Sequence, residues 1–157
     1  MATPGLTIDD SARLLDHATW LERRLFEVLG GWVADTPEPS IKLALARHSR
    51  LHAAHAALLE PLRPDTRDHD VAQRAPLDAG WRTLMSKVLA ASSSATRLER
   101  LLEVLVGAIA CYEQYTGAMR AVRDAPAQRA LVQVLADERA ELGEFDALRR
   151  IDAGMGR

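Results

Sequence analysis

Residues 40–60 read SIKLALARHSRLHAAHAALLE. Each residue advances about 100° around a helix axis. Ile41, Leu45, His48, His52, His55, Ala56 and Leu59 then fall on one stripe. Three imidazoles therefore lie on the face that the aliphatic side chains mark as the core. The stretch follows the proline-bearing DTPEPS and is closed by Pro61, and proline ends a helix because it lacks the N–H and clashes with the preceding turn. A helix from about Ser40 to Glu60 is expected.

Outward from this helix the chain continues in the same vein. Before it stands IDDSARLLDHATWLERRLFEVLGGWVAD, with Thr7 and Asp10 placed to cap its start. After it, residues 61–78 are rich in Pro, Asp and Arg and read as a loop. A shorter helix is expected over AGWRTLMSKVLAA, interrupted by Ser92, Ser93 and Ser94. Thr96 with Glu99 makes a capping box for a third long helix over about 96–123. RDAPAQ is a turn with Asp124 as N-cap, and a fourth long helix runs to about Ile151, leaving DAGMGR as a frayed tail. The expected fold class is all-α, one domain over residues 1–157: a four-helix bundle whose second and third helices are joined by a long crossover containing a short extra helix. The competing arrangement is an up-and-down bundle with a loose middle loop. Residues 61–95 are too many for a hairpin turn and enough to travel the length of a bundle.

Composition narrows the function. The formal net charge is −2 and no long basic run occurs, which argues against a nucleic-acid partner. The single cysteine, Cys111, rules out an internal disulfide. MATPGLTIDDSARLL lacks the basic start and continuous apolar core of a signal peptide, and no apolar run is long enough for a membrane span. A cytoplasmic protein is expected.

The polar residues that face inward carry the functional argument. Leu14, Ala18, Leu21, Leu25 and Leu29 mark the core stripe of the first helix, with Glu22 on its flank. In the third helix Leu98, Leu102, Val106, Ile109 and Thr116 make a stripe that includes Glu113. In the fourth, Leu131, Val134, Leu142 and Phe145 surround Glu138, with Glu141 one turn on. Glu22 lies about 14 residues before the turn near Thr36 and His52 about 16 after it, a height difference of roughly 3 Å. Glu113 and Glu138 are level in the same way about the turn near Asp124. A layer of buried acids costs several kcal/mol per unpaired group. A divalent cation would offset it, since carboxylates and imidazoles are natural ligands. The alternative is a buried charge network, with Arg120 two turns from Glu113 and Arg139 beside Glu138.

This pattern resembles the ferritin-like superfamily of di-iron carboxylate proteins, in which two helices each give one Glu and two each give a Glu-x-x-His pair. On that resemblance the single glutamates are Glu22 and Glu113, and the pairs are His52 with His55 and Glu138 with Glu141. His48, Tyr112 and Arg120 would stand around the ligands. His52 replaces a usual bridging glutamate, and Glu141 stands where a histidine is often found. The resemblance implies two iron ions, with manganese or zinc as alternatives; the two departures leave a mononuclear site, or one that has lost its metal, as further alternatives. It implies oxidation of a small organic substrate by dioxygen, in a pocket lined by Leu25, Phe26, Ile109 and Phe145, and a homodimer is expected. The other functions in play are iron storage, a metal-free bundle for ligand binding or dimerisation, and a DinB-like site holding one metal by three histidines.

Overall fold

The computed structural model describes residues 6–64, 76–120 and 122–155. It contains α1 (Ile8–Asp35), α2 (Pro39–Leu59), α3 (Ala79–Leu89), α4 (Ser94–Ala118) and α5 (Ala125–Met155), with a 3₁₀ turn over Glu60–Leu62. No strand occurs among the described residues. No helix among them is long and apolar enough to cross a membrane.

The helix ends follow local chemistry. Thr7 Oγ1 accepts from the Asp10 amide at 3.1 Å, and the Asp10 carboxylate accepts from the Thr7 amide at 3.2 Å. This reciprocal pair satisfies two N–H groups that a helix start leaves open. Pro39 opens α2, where its missing N–H costs nothing. The start of α4 differs from expectation. Ser93, not Thr96, is the cap, its Oγ accepting from the Thr96 amide at 3.1 Å. The helix ends at Ala118, short of the expected 123. Asp124 stands at the N-cap of α5 as expected, its carbonyl accepting from the Gln128 amide at 2.8 Å, while its carboxylate holds Arg123, the Arg120 amide at 2.9 Å and the Ser11 hydroxyl. The segment 152–155, expected to fray, continues α5.

Cross-contacts fix the topology. The Leu6 amide reaches the Ala118 carbonyl, and Ser11 reaches Asp124, so the start of α1 lies by the end of α4 and the start of α5. At the other end of the bundle, Ser94 Oγ donates to Glu38 at 2.5 Å, and the Arg97 guanidinium lies 5.4 Å from the Trp32 ring centroid. Helix α4 therefore runs parallel to α2 and antiparallel to α1. Arg63, just past α2, pairs with Asp16 at 2.6 Å near the start of α1. The chain must then travel the whole bundle to begin α4, which is the long crossover expected from the sequence. Its middle, residues 65–75, lies outside the described residues.

Burial corrects one stripe. The wholly buried residues of α4 are Leu98, Leu101, Val104, Leu105, Ala108, Tyr112 and Tyr115, whereas Val106 is 57% exposed. The core face is thus rotated by about one residue from the expected one. The crossover accounts for the ambiguity. Helix α3 packs on α4, with the Trp81 ring so close to Gly107 that an added Cβ would lie 3.2 Å from it. Leu102 and Ile109 are half-buried against the core, so α4 carries two apolar faces, only one of which looks into the four-helix core.

Candidate metal centre

The centre is assembled from α1, α2 and α5. Glu22, His52, Glu138 and Glu141 are fully buried, His55 nearly so. The i, i+3 spacing of His52 and His55, and of Glu138 and Glu141, puts each pair on one helix face, one turn apart. The α1 and α2 stripes meet because a short turn makes these helices antiparallel. One ligand atom from each of Glu22, His52, His55 and Glu138 lies within 4.8 Å of the other three.

Glu22 is the hub. Its Oε2 meets His52 Nδ1 at 2.7 Å and His55 Nδ1 at 3.1 Å. Its Oε1 accepts from the Tyr112 hydroxyl at 2.7 Å. Glu138 Oε1 stands 3.4 Å from Nδ1 of both His52 and His55. Neither oxygen of Glu138 finds a hydrogen-bond partner among the described residues. The outward nitrogens of the two imidazoles are held as well. His52 Nε2 lies 3.2 and 3.1 Å from the two oxygens of Glu141. His55 Nε2 meets Asp137 at 3.0 Å. Beyond them, His48 sits between Glu141 at 3.1 Å and Glu144 at 2.7 Å, and Glu144 also pairs with Arg47 at the surface.

Without a cation the layer is held by opposite charge. Burial pushes the Glu22 carboxyl up, but the charge of His52 and hydrogen bonds from His52 and His55 bring it down to about 2. Burial disfavours charge on His52 too, yet Glu141, Glu22 and Glu138 around it raise it well above the ordinary imidazole value. His55 is opposed by burial and held up to about 10 by Glu138, Glu22 and Asp137. Glu138 goes the other way: burial and the Glu22 charge push it up to about 7, against the pull of His52. Glu138 is thus the carboxyl of the layer with both oxygens lacking a hydrogen-bond partner among the described residues, where Glu141 lacks one only on Oε2. A buried polar group left so costs about 1–3 kcal/mol. A cation between Glu138 and the Nδ1 atoms would supply what it lacks, so the donor set fits a metal.

Two residues expected at the site are elsewhere. Glu113 points outward, half-exposed, and pairs with Arg139 at 2.6 Å. The rotation of α4 brings its neighbour Tyr112 into the layer instead. Arg120 lies beyond the end of α4, exposed, with its amide on Asp124, and takes no place around the cluster. The pocket expected from Leu25, Phe26, Ile109 and Phe145 is not formed by them. Leu25 and Phe145 are core residues with no exposure, and Phe26 is 43% exposed. Two contacts escaped the sequence reading, Asp137 on His55 and Glu144 on His48. Their positions carried a signal, since Asp137 adjoins Glu138 and Glu144 follows Glu141 by one turn. His17 was also missed. It is fully buried under α3, its Nδ1 accepts from the Leu77 amide at 3.1 Å, and its Nε2 has no partner among the described residues.

No family model and no curated protein matches this chain. Among solved structures it is similar to the crystal structure of the E. coli stress protein YciF, with a TM-score of 0.77 at 16% identity, covering 94% of this chain and 98% of that one. At that identity the likeness is one of fold: a helical bundle shared along nearly the whole length of both chains.

Proposed function

We propose that this protein is a metal-dependent four-helix bundle of the ferritin-like kind, with its cation held among Glu22, His52, His55 and Glu138. One observation carries the reading: four donor atoms from three helices converge within 4.8 Å in a buried layer, while Glu138 finds no hydrogen-bond partner among the described residues. Mixed imidazole and carboxylate donors suit iron, manganese or zinc. Iron is our first choice, and when bound it would supply one-electron chemistry toward dioxygen, with a small organic molecule as the substrate oxidised. The residues of the chain would hold the cation, fix the imidazoles through Glu141 and Asp137, and keep water from the layer by burial. We take the protein to act in the cytoplasm as a homodimer.

Full burial of every donor favours a second reading, in which the cation or the charge network serves only to hold the bundle. The two are separated by one set of measurements on protein purified without chelator. Metal analysis, oxygen uptake after ferrous loading, and the melting temperature with and without metal are recorded together. Bound iron with oxygen uptake supports the oxidative reading. Bound metal that raises the melting temperature without oxygen uptake supports the structural one. A chain that takes up neither iron, manganese nor zinc defeats the metal-dependent reading and leaves the charge network alone to hold the bundle.

A further inference from the structure

We infer that the centre holds a single cation, bound through Nδ1 of both His52 and His55, and that Glu141 and Asp137 are positioning residues rather than ligands. This rests on the metal reading above and departs from the two-ion arrangement that the resemblance implies.

Three observations lead there. The first is size. Two bonds of about 2.0–2.2 Å on opposite sides of one ion span at most about 4.4 Å. The four donors already lie within 4.8 Å of one another, so shifts of under about 1 Å, which also open the 2.7 Å Glu22–His52 contact, set them round one centre.

The second is the orientation of the imidazoles. Both turn Nδ1 inward, toward Glu22 and Glu138. Both turn Nε2 outward onto a different carboxylate, Glu141 for His52 and Asp137 for His55. A carboxylate on the far nitrogen keeps the proton there, leaves the near nitrogen's lone pair free, and fixes the ring plane. Glu141 is thereby occupied between His52 and His48. Tyr112 does the same for the first carboxylate, its hydroxyl on Glu22 Oε1 leaving Oε2 for the centre.

The third is charge and supply. Helix α4 sends no carboxylate inward, because Glu113 faces out. The layer then has three buried acids, Glu22, Glu138 and Glu141. One divalent ion is neutralised by Glu22 and Glu138, while Glu141 lies 3.1 Å from His48. A second divalent ion would exceed the negative charge of the layer, and uncompensated charge in a buried site is strongly unfavourable.

The test is a titration of the whole protein, freed of metal, with Co²⁺ alone, following visible absorption and stoichiometry. The wild type is expected to take one equivalent with the intense bands of a four-coordinate ion. Glu138→Gln is expected to lose them. Glu141→Gln keeps an oxygen for His52 Nε2–H and should retain one equivalent and the same bands, with affinity weaker by about 10–100-fold. Glu141→Leu, which cannot hold the ring, should be weaker still, and circular dichroism checks that each variant is folded. Two equivalents in the wild type, or loss of binding in Glu141→Gln as complete as in Glu138→Gln, would overturn the single-ion assignment while leaving the metal reading intact. A wild type that binds no Co²⁺, Fe²⁺, Mn²⁺ or Zn²⁺ would overturn both.

Discussion

Metal binding to this centre has to displace protons, and the number can be worked out from the charge network. In the metal-free layer His52 is held protonated well above the ordinary imidazole value and His55 up to about 10. A cation needs the Nδ1 lone pair of each, so each ring gives up one proton and keeps the one on Nε2. Between the Glu138 value of about 7 and the His55 value of about 10, binding therefore releases two protons. Apparent affinity should rise about 100-fold per pH unit, or about 2.7 kcal/mol. Below about 7 Glu138 is protonated too, and the slope should steepen toward three as pH falls. The sign is set by competition: protons occupy the donor atoms at low pH, so metal is lost on acidification. Competition against a chelator of known affinity at several pH values, corrected for the chelator's own protonation, gives the slope. Proton release measured in a weakly buffered solution gives the count independently. An affinity that hardly changes with pH, or fewer than one proton released, would show that the imidazoles do not bind the cation.

The other predictions concern residues around the centre. Tyr112→Phe removes the hydroxyl that donates to Glu22 Oε1 while keeping the ring in the core; it should cost about 1–3 kcal/mol in denaturant unfolding and weaken metal binding about tenfold or more. Glu113→Ala removes an exposed ion pair with Arg139; it should change stability by less than about 1 kcal/mol and leave metal content unaltered, whereas lost metal would mean that α4 does supply a ligand. His17 is pushed down to about 4 by burial, against the pull of Asp78. Its neutral form is favoured in the folded state, so its contribution is complete above the unfolded value near 6.5 and is lost as pH falls toward 4, by up to about 3 kcal/mol. Replacing it in His17→Gln should flatten the acid limb of the stability profile in this window, and an unchanged limb would contradict the assignment.

The parts of the structure legible in the sequence were those where one physical signal stood alone. Helix α1 runs over Ile8–Asp35, the span that its cap and proline brake mark out. The α2 stripe was legible because its polar residues were histidines spaced along an otherwise aliphatic face. The crossover followed from length, since residues 61–95 had to go somewhere. Helix α4 was misread because Leu102, Val106 and Ile109 make as good an apolar row as Leu101, Leu105 and Ala108. Periodicity cannot choose between two apolar faces when a crossover helix covers one of them. The error carried Glu113 inward on paper and left Tyr112 beside the layer rather than in it. The outer carboxylates Asp137 and Glu144 were signalled only by their spacing from Glu138 and Glu141, and for another reason. They are half-exposed, and only the tertiary pairing of α2 with α5 gives them an imidazole to hold.

The most direct test of the account is a crystal of protein grown from metal-replete culture, with diffraction recorded on both sides of the absorption edge of whatever metal elemental analysis finds. The account predicts one anomalous peak within bonding distance of Glu22, His52, His55 and Glu138. No peak there, with Glu138 protonated or reached by water or an arginine, would contradict it.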